Sequence, residues 1–278
     1  MKSAADPQLT SPVGAGPMQI ERVNNVDIAY RRTGNGATVL LLHPIGLDSS
    51  WWQPFAEQLA PQFSVVSMDF RGHGGSAPIC GGVELANLAD DAAALLRALG
   101  LAPAHVVGLS MGGMVAQYLA IRHPDVVRSL ALLGTACTLP DEARKQMVAR
   151  GEIARRDGMR AVLGATLERW FTPAALTSEL ANRCERRLLE NDTESWAASW
   201  RGISRLDTLP LLKRIKAPTL VVTGNRDVST PPAAATMIAD NIPGAALAII
   251  EGAPHMGPFE FPGAYLAPVV AFVQENSR

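Results

Sequence analysis

Two kinds of apolar pattern alternate along the chain, one typical of buried strands and one typical of amphipathic helices. Continuous apolar runs of five residues are typical of strands buried on both faces of a mostly parallel sheet. Such runs lie at Thr38–Leu42, Ser64–Met68, His105–Leu109, Ser129–Leu133, Thr219–Thr223 and Ala246–Ile250. Apolar residues at helical spacing lie at Ser50–Leu59, Leu85–Leu99, Met111–Arg122, Pro232–Asn241 and Ala264–Gln274. This alternation predicts a doubly wound α/β sheet with right-handed crossovers.

The chain opens on a different pattern. Gln19–Val23 and Val26–Arg32 are short β-prone runs on either side of the pair Asn24-Asn25. Two consecutive asparagines tolerate the positive φ angles of a two-residue hairpin turn. We therefore predict an antiparallel start to an otherwise mostly parallel, eight-stranded sheet.

The alternation of predicted strands and helices is interrupted near the middle of the chain. From about residue 139 to 210 the sequence shows only helical patterns rich in Arg, Glu, Ala and Leu. We interpret this interval as a helical cap inserted into the α/β core, with the core formed by 18–138 and 211–278. Residues 1–17 contain Pro, Gly and Ala without the apolar stretch of a signal peptide, and they predict a mobile N-terminal tail.

Composition excludes several classes of partner. Hydrophobic residues make up 47% of the chain, charged residues 18%, and the net charge is −1. The most basic stretch, Arg183 with Arg186 and Arg187, is typical of a solvated helix face, so neither nucleic acid nor a membrane is an expected partner. No apolar run reaches the roughly 18 residues that a membrane helix needs. Three widely spaced cysteines favour a reduced, cytoplasmic compartment, and a homo-oligomer is left open.

A turn between a predicted strand and a predicted helix carries the candidate nucleophile. Residues 108–112 read Gly-Leu-Ser-Met-Gly and match the pattern G-x-S-x-G. The glycines remove Cβ atoms that would crowd a sharp turn, and such a turn lifts the serine above the carboxyl edge of the sheet. We predict that Ser110 attacks an acyl carbon.

Two backbone amides are predicted to stabilise the oxyanion that this attack would form. The first is the Met111 N–H, at the start of a helix. The second should come from the loop at residues 43–46, which reads His-Pro-Ile-Gly. Because Pro44 has no N–H, Ile45 is the predicted donor.

A serine hydroxyl becomes a good nucleophile when an imidazole, itself oriented by a carboxylate, takes its proton. His255 is the predicted base because it follows the last strand, where a loop can reach back over the sheet. His73, in an earlier loop, is the weaker candidate. Asp227 is predicted to orient His255, which gives the chain order Ser, Asp, His. The alternatives are that Asp207 in the cap is the acid, or that Asp227 only closes an Asx turn.

Five short motifs resemble those of the α/β-hydrolase superfamily. They are HPIG at 43–46, DFRGHGGS at 69–76, GLSMGG at 108–113, GNRD at 224–227 and PHM at 254–256. The resemblance runs from about residue 19 to the end of the chain and implies the α/β-hydrolase fold with a Ser-His-Asp triad. Ser110, where other members carry Asp, disfavours the haloalkane dehalogenases and epoxide hydrolases of the superfamily.

Three longer stretches resemble the group that contains 3-oxoadipate enol-lactonases and related small carboxylesterases. They are GLSMGGMVAQYLA, CERRLLENDTESWAASWRGISRLD and TGNRDVSTPP. The resemblance implies a serine hydrolase that cleaves a small carboxylic ester or lactone through an acyl-serine, with no metal or organic cofactor. The alternatives are a carbon-carbon bond hydrolase or a perhydrolase using the same triad, and a non-catalytic ligand-binding protein on the same fold.

A substrate pocket is expected between the core and the cap, lined by large aromatic side chains. The predicted lining residues are Trp51, Trp170, Trp196 and Trp200. The spacing of four between Trp196 and Trp200 suits plain helix packing equally well. If the substrate is a carboxylated lactone, a cap arginine would hold its carboxylate. Examples of such an arginine are Arg183, Arg187 and Arg201, and the sequence does not distinguish among them.

Overall fold

The computed structural model describes residues 16–277, so the tail predicted at 1–17 falls almost wholly outside the described residues. The strands are β1 (Met18–Val23), β2 (Val26–Thr33), β3 (Ala37–Leu42), β4 (Phe63–Met68), β5 (Ala104–Leu109), β6 (Val127–Leu133), β7 (Thr219–Gly224) and β8 (Ala246–Ile250). The α-helices of the described part are α1 (Gln53–Leu59), α2 (Leu85–Ala98), α3 (Met111–Arg122), α4 (Asp141–Asp157), α5 (Arg160–Trp170), α6 (Glu179–Leu189), α7 (Thr193–Ser204), α8 (Pro232–Asn241), α9 (Gly257–Glu260) and α10 (Pro262–Glu275).

The eight strands form one sheet in the order β1-β2-β4-β3-β5-β6-β7-β8. Strand β2 pairs antiparallel with β1 and β4, whereas all neighbours from β4 to β8 are parallel. Asn24 and Asn25 form the turn between β1 and β2 with φ angles of 48° and 62°. The predicted eight-stranded, mostly parallel sheet with an antiparallel start is confirmed.

Strand β8 differs from its prediction in burial. It lies at one edge of the sheet and pairs only with β7, and Leu247 and Ile249 are 38% and 51% exposed. The prediction of a strand buried on both faces is therefore wrong here. An apolar run indicates a strand, but the place of that strand in the sheet depends on strand order, which the local pattern does not encode.

The helix predicted at Ser50–Leu59 is divided in two. A 3-10 helix covers Ser49–Trp52, and α1 begins at Gln53. The Asp48 carboxylate accepts the Ser50 N–H at 2.9 Å and starts the tighter turn. Pro54, which lacks an N–H, suits the first turn of the α-helix that follows.

Between β6 and β7 the chain forms α4, α5, α6 and α7 with a short 3-10 helix at Ala175–Thr177. Helix α4 packs so closely on α7 that a Cβ on Gly151 would lie 2.9 Å from the Ala197 Cα. An antiparallel bridge between Thr138 and Asp207 joins the two ends of the segment. These helices correspond to the predicted cap, whose boundaries at 139 and 210 stay a prediction.

The candidate catalytic residues lie in loops that follow the carboxyl ends of β3, β5, β7 and β8. Residues 43–46 follow β3, Ser110 follows β5, Asp227 follows β7 and His255 follows β8. Ligand sites of parallel α/β sheets form at this edge. Within residues 16–277, no helix is long and apolar enough to cross a lipid bilayer.

Candidate active site

Ser110 occupies the sharp turn between β5 and α3. Its backbone angles are φ 54° and ψ −116°, and a positive φ is uncommon for any residue but glycine. The Thr135 hydroxyl and the Met114 N–H donate to the Ser110 carbonyl at 2.8 and 3.0 Å. A Cβ on Gly108 would lie 2.4 Å from the Gly112 carbonyl oxygen, so the turn closes only because glycine is there.

Three side chains from separate loops meet at this turn. His255 Nε2 lies 3.0 Å from Ser110 Oγ, and His255 Nδ1 lies 2.8 Å from Asp227 Oδ2. All three residues are buried. Because a carboxylate oxygen only accepts, Nδ1 carries the ring proton and Nε2 is free to accept the Ser110 hydroxyl proton. The structure thus brings Ser110, His255 and Asp227 together in the geometry that activates a hydroxyl.

Both carboxylate oxygens of Asp227 have partners. Oδ1 accepts the N–H groups of Ser229 and Thr230, each at 2.8 Å, while Oδ2 accepts the Thr230 hydroxyl at 2.8 Å as well as His255. The Asx turn and the contact with the histidine are therefore present on the same carboxylate. Burial raises the pKa of Asp227, but the charge of His255 and these hydrogen bonds outweigh burial and hold the pKa below its usual value.

The weaker candidates lie apart from this array. Within the described residues, neither His73 nor Asp207 makes a hydrogen bond to Ser110 or His255. The His73 Nδ1 is 3.3 Å from the carbonyl of Arg71, and Asp207 forms the bridge at the base of the helical segment.

Two buried histidines lie next to each other, His43 at the start of the loop at 43–46 and His73 in the loop that follows β4. His43 Nε2 accepts the Phe70 N–H at 3.0 Å, so its Nδ1 donates to the Pro44 carbonyl at 2.7 Å. The rings of His43 and His73 are 5.0 Å apart. Burial lowers the pKa of His43 to about 4 and that of His73 to about 3, so both rings are neutral at pH 7.

These rings predict an acid-dependent loss of stability. Unfolded histidine binds a proton near its ordinary pKa of 6.5, whereas the folded rings do so only near 4 and 3. The free energy of unfolding is therefore highest above pH 6.5 and falls as the pH drops towards the folded values, by up to about 1.4 kcal/mol per pH unit for each ring. We expect His73→Asn to flatten this slope in urea unfolding series. Equal slopes for the two proteins would contradict the expectation.

Ile45 and Met111, whose amides are the predicted oxyanion donors, lie at the same edge of the sheet as Ser110, after β3 and β5 respectively. Met111 is the first residue of α3, and Ile45 lines the same cavity as Ser110. A Cβ on Gly112 would lie 2.2 Å from the Leu42 carbonyl oxygen, so the start of α3 lies against the end of β3. Among residues 16–277, neither amide donates to a backbone or side-chain acceptor. Two N–H groups of this kind suit an oxyanion.

Removing one of these N–H groups tests the oxyanion site. We expect Ile45→Pro to lower kcat by about 10² to 10³, because proline has no N–H to donate to the developing charge. Ile45→Ala is the matched control, since it shortens the side chain but keeps the amide, and it should lose much less. Steady-state kinetics on a small ester measure both. Similar losses in the two variants would assign the effect to packing instead.

A cavity of about 610 Å³ opens beside Ser110 and His255. Its wall is mostly apolar and comes from both the core and the helical segment, with side chains that include Met114, Leu139, Met147, Ile203 and Met237. Of the four tryptophans predicted to line a pocket, the structure places Trp170 and Trp200 in this wall. The Trp170 ring is 6.3 Å from the His255 ring.

For the other two tryptophans, Trp51 and Trp196, the prediction is wrong, because neither lines this cavity. Trp51 packs on Phe259 with the ring centroids 5.3 Å apart and lies beneath the Arg183 guanidinium. Trp196 packs edge to face on Trp200 with the centroids 5.6 Å apart. The spacing of four along α7 thus places one ring in helix packing and the other in the cavity wall.

The three cap arginines named as candidates for holding a substrate carboxylate have other partners in the structure. Arg183 stacks over Trp51 at 4.4 Å, Arg187 pairs with Asp48, and Arg201 pairs with a glutamate of α4 at 2.8 Å. None of the three lines the cavity. These three candidates therefore lie outside the cavity wall, and the sequence could not show this because a helical arginine pattern does not reveal which arginines find partners on neighbouring elements.

Sequence reasoning missed three polar residues of this region. Thr230 holds the Asp227 carboxylate, and its signal was a hydroxyl three residues after the candidate acid. Arg150 and Arg169 line the cavity, and no local signal marks them, because their direction depends on how the cap helices pack. Within the described residues, no group of three or more His, Cys, Asp or Glu side chains could hold a metal ion.

A mostly parallel, eight-stranded sheet with a Ser-His-Asp array at its carboxyl edge defines an α/β hydrolase. The family model described as alpha/beta hydrolase fold matches residues 37–262. The chain belongs to this family, and the predicted resemblance to it is confirmed.

Two curated relatives and one solved structure show which members of this family the chain is similar to. The chain is 28% identical to 3-oxoadipate enol-lactonase 2 of Acinetobacter baylyi, over 82% of this chain and 85% of that protein. It is 34% identical to the pimeloyl-[acyl-carrier protein] methyl ester esterase of Chromobacterium violaceum, over 88% and 93% of the two chains. The crystal structure of the enol-lactonase from Burkholderia xenovorans LB400 matches with a TM-score of 0.87 at 32% identity, covering 92% of this chain and all of that one. The protein is a hydrolase.

Proposed function

We propose that the protein hydrolyses a carboxylic ester or lactone of a small molecule through an acyl-Ser110 intermediate. The observation that carries the proposal is the hydrogen-bonded series from Asp227 through His255 to Ser110, which opens on a cavity of about 610 Å³. The volume lies in the usual range for small-molecule sites. The names of the relatives, an enol-lactonase and a methyl ester esterase, support this type of bond.

In the first half of the proposed reaction, Ser110 Oγ attacks the carbonyl carbon while its proton passes to His255 Nε2. The Asp227 carboxylate stabilises the imidazolium that forms, and the Ile45 and Met111 amides bind the oxyanion. The tetrahedral intermediate then collapses. Its carbon-oxygen bond breaks, and the alkoxide takes the proton from His255 Nε2 as it leaves, or as the lactone ring opens.

In the second half, water replaces the alcohol. His255 Nε2 accepts a proton from this water as its oxygen attacks the acyl carbon of acyl-Ser110. The second tetrahedral intermediate releases the carboxylic acid, and the proton returns from His255 to Ser110 Oγ. Asp227 holds the same ring tautomer in both halves, so one array serves both proton transfers.

The proposal is tested by substrate range and by labelling. The purified protein is incubated with p-nitrophenyl butyrate and an unsaturated γ-lactone, and the products are identified by mass spectrometry. We expect hydrolysis of both compounds, and a fluorophosphonate probe should form an adduct on Ser110. Parallel reactions with a meta-cleavage dienoate and with acetate plus peroxide separate the carbon-carbon hydrolase and the perhydrolase. An intact protein without an adduct on Ser110 would favour a ligand-binding role and overturn the proposal.

A further inference from the structure

Two arginines enter the cavity from different cap helices. Arg150 comes from α4 and Arg169 from α5, and both line the same space as Ser110 and His255. The Arg150 Cζ lies 5.5 Å from the centroid of the Trp200 ring, a cation-π distance. Arg169 Nη2 donates to the Val228 carbonyl at 3.1 Å, in the loop that follows Asp227. Contacts on the wall thus position both guanidinium groups.

The positive charge of the pair has no counter-charge in the cavity wall. No aspartate or glutamate is among the lining residues, and among residues 16–277 neither Arg150 nor Arg169 forms an ion pair. The Nε of Arg169 is buried and has no hydrogen-bond partner in the described structure. Asp227 supplies one negative charge nearby, but His255 and its own loop occupy both its oxygens. The cavity therefore has guanidinium donors to offer to an anion.

The positive charges of Arg150 and Arg169 also repel each other. Burial lowers the pKa of Arg150, and the neighbouring charge of Arg169 lowers it further. A partly buried pair of like charges is costly unless an anion compensates it. The planar guanidinium fork matches the two oxygens of a carboxylate, which it binds through paired, charge-assisted hydrogen bonds.

From this arrangement we propose that Arg150 and Arg169 form a subsite for a carboxylate carried by the substrate itself. This inference rests on the proposed function, because it assigns a substrate class to the same cavity. Ser110, Arg150 and Arg169 line one cavity of about 610 Å³. The proposal therefore places the scissile carbonyl of a small molecule at Ser110 and the carboxylate of the same molecule at the two arginines. The protein then prefers esters or lactones that bear a free carboxylate over neutral ones of equal length.

Matched substrates test the subsite. Monomethyl glutarate, which is ionised at pH 7.5, and the neutral dimethyl glutarate have the same chain and the same methyl ester. We expect the unmodified enzyme to show a higher kcat/KM on the monoester. In Arg150→Gln and in Arg169→Gln, the ratio of the two kcat/KM values should fall by about 10 to 100-fold, mainly through KM, since a hydrogen bond to a charged group is lost.

Arg156→Gln is the matched control, because Arg156 is an exposed residue of the same helix α4 that pairs with Asp157. It removes one positive charge outside the cavity and should keep the ratio of the unmodified enzyme. A ratio that falls equally in the control would mean that net charge, not the subsite, sets the preference. An unmodified enzyme that prefers the diester would overturn the proposal, as would unchanged ratios in both Arg150→Gln and Arg169→Gln.

Binding of glutarate, measured by calorimetry, separates this inference from the proposed function. We expect glutarate to bind the unmodified protein and to bind at least about 10-fold more weakly when either arginine is glutamine. If neither ester is hydrolysed but glutarate shows this pattern, the proposed function fails and the carboxylate subsite stands. If the esters are hydrolysed but glutarate does not bind the unmodified protein, or binds all variants equally, the subsite fails alone. Arg150→Lys and Arg169→Lys, which keep the charge but lose the fork, replace any glutamine variant that does not fold, and weaker binding of glutarate is expected there too.

Discussion

Replacing Ser110 with alanine is expected to lower kcat on a small ester by about 10⁴-fold or more. Among residues 16–277, the Ser110 hydroxyl is the one that lies within hydrogen-bond distance of His255 Nε2, at 3.0 Å, and the substitution removes it. Alanine keeps a Cβ and tolerates the same backbone as serine, so the turn and the cavity should remain. Steady-state kinetics and the loss of fluorophosphonate labelling measure the effect.

A second buried serine supplies the control for this experiment. Ser129 on β6 bonds to His105 at 2.7 Å, at the end of the sheet opposite Ser110. Ser129→Ala therefore also deletes a buried hydroxyl beside a histidine, but it should keep most of the activity. If Ser110→Ala hydrolysed the ester at the native rate, Ser110 would not be the nucleophile and the proposed mechanism would be wrong.

Asp227→Asn is expected to lower kcat by about 10⁴-fold while leaving the fold intact. Oδ1 accepts two backbone N–H groups, from Ser229 and Thr230, so the asparagine must place its carbonyl oxygen there. Its NH₂ then replaces Oδ2 and donates to His255 Nδ1. The imidazole is forced to carry its proton on Nε2, where it cannot accept the proton of Ser110.

The tautomer itself can be observed. ¹⁵N chemical shifts of His255 should show the ring proton on Nδ1 in the unmodified protein and on Nε2 in Asp227→Asn. Asp207→Asn is the matched control, because Asp207 lies in the bridge at the base of the helical segment, and it should keep the native tautomer and nearly native kcat. A greater loss in Asp207→Asn than in Asp227→Asn would reverse the assignment of the acid.

Features encoded by neighbouring residues could be predicted from the sequence. The turn at Ser110 depends on Gly108 and Gly112, which stand two positions away, and the strand before it is a local apolar run. The hairpin at Asn24 and Asn25 is local in the same way. Parallel strands place their carboxyl ends at one edge, so the position of Ser110, Asp227 and His255 directly after predicted strands predicted that they lie at the same edge of the sheet.

Features that depend on packing between distant segments could not be predicted. Arg150 and Arg201 are both arginines of the helices between β6 and β7. Of these two, Arg150 lines the cavity, whereas Arg201 pairs with Glu152. Trp196 and Trp200 lie on the same stripe of α7 and still have different neighbours. A helical pattern shows which residues share a face, but the rotation of that face towards the cavity comes from the tertiary contacts.

The positive φ of Ser110 has a consequence for the evolution of this chain. An L-residue in so sparsely populated a conformation costs on the order of 1 to 3 kcal/mol, and glycine at the same position would relieve most of this strain. Selection for a stable fold alone would therefore favour glycine at position 110. The chain has serine there, so part of its folding stability is given up to place the Ser110 hydroxyl 3.0 Å from His255 Nε2.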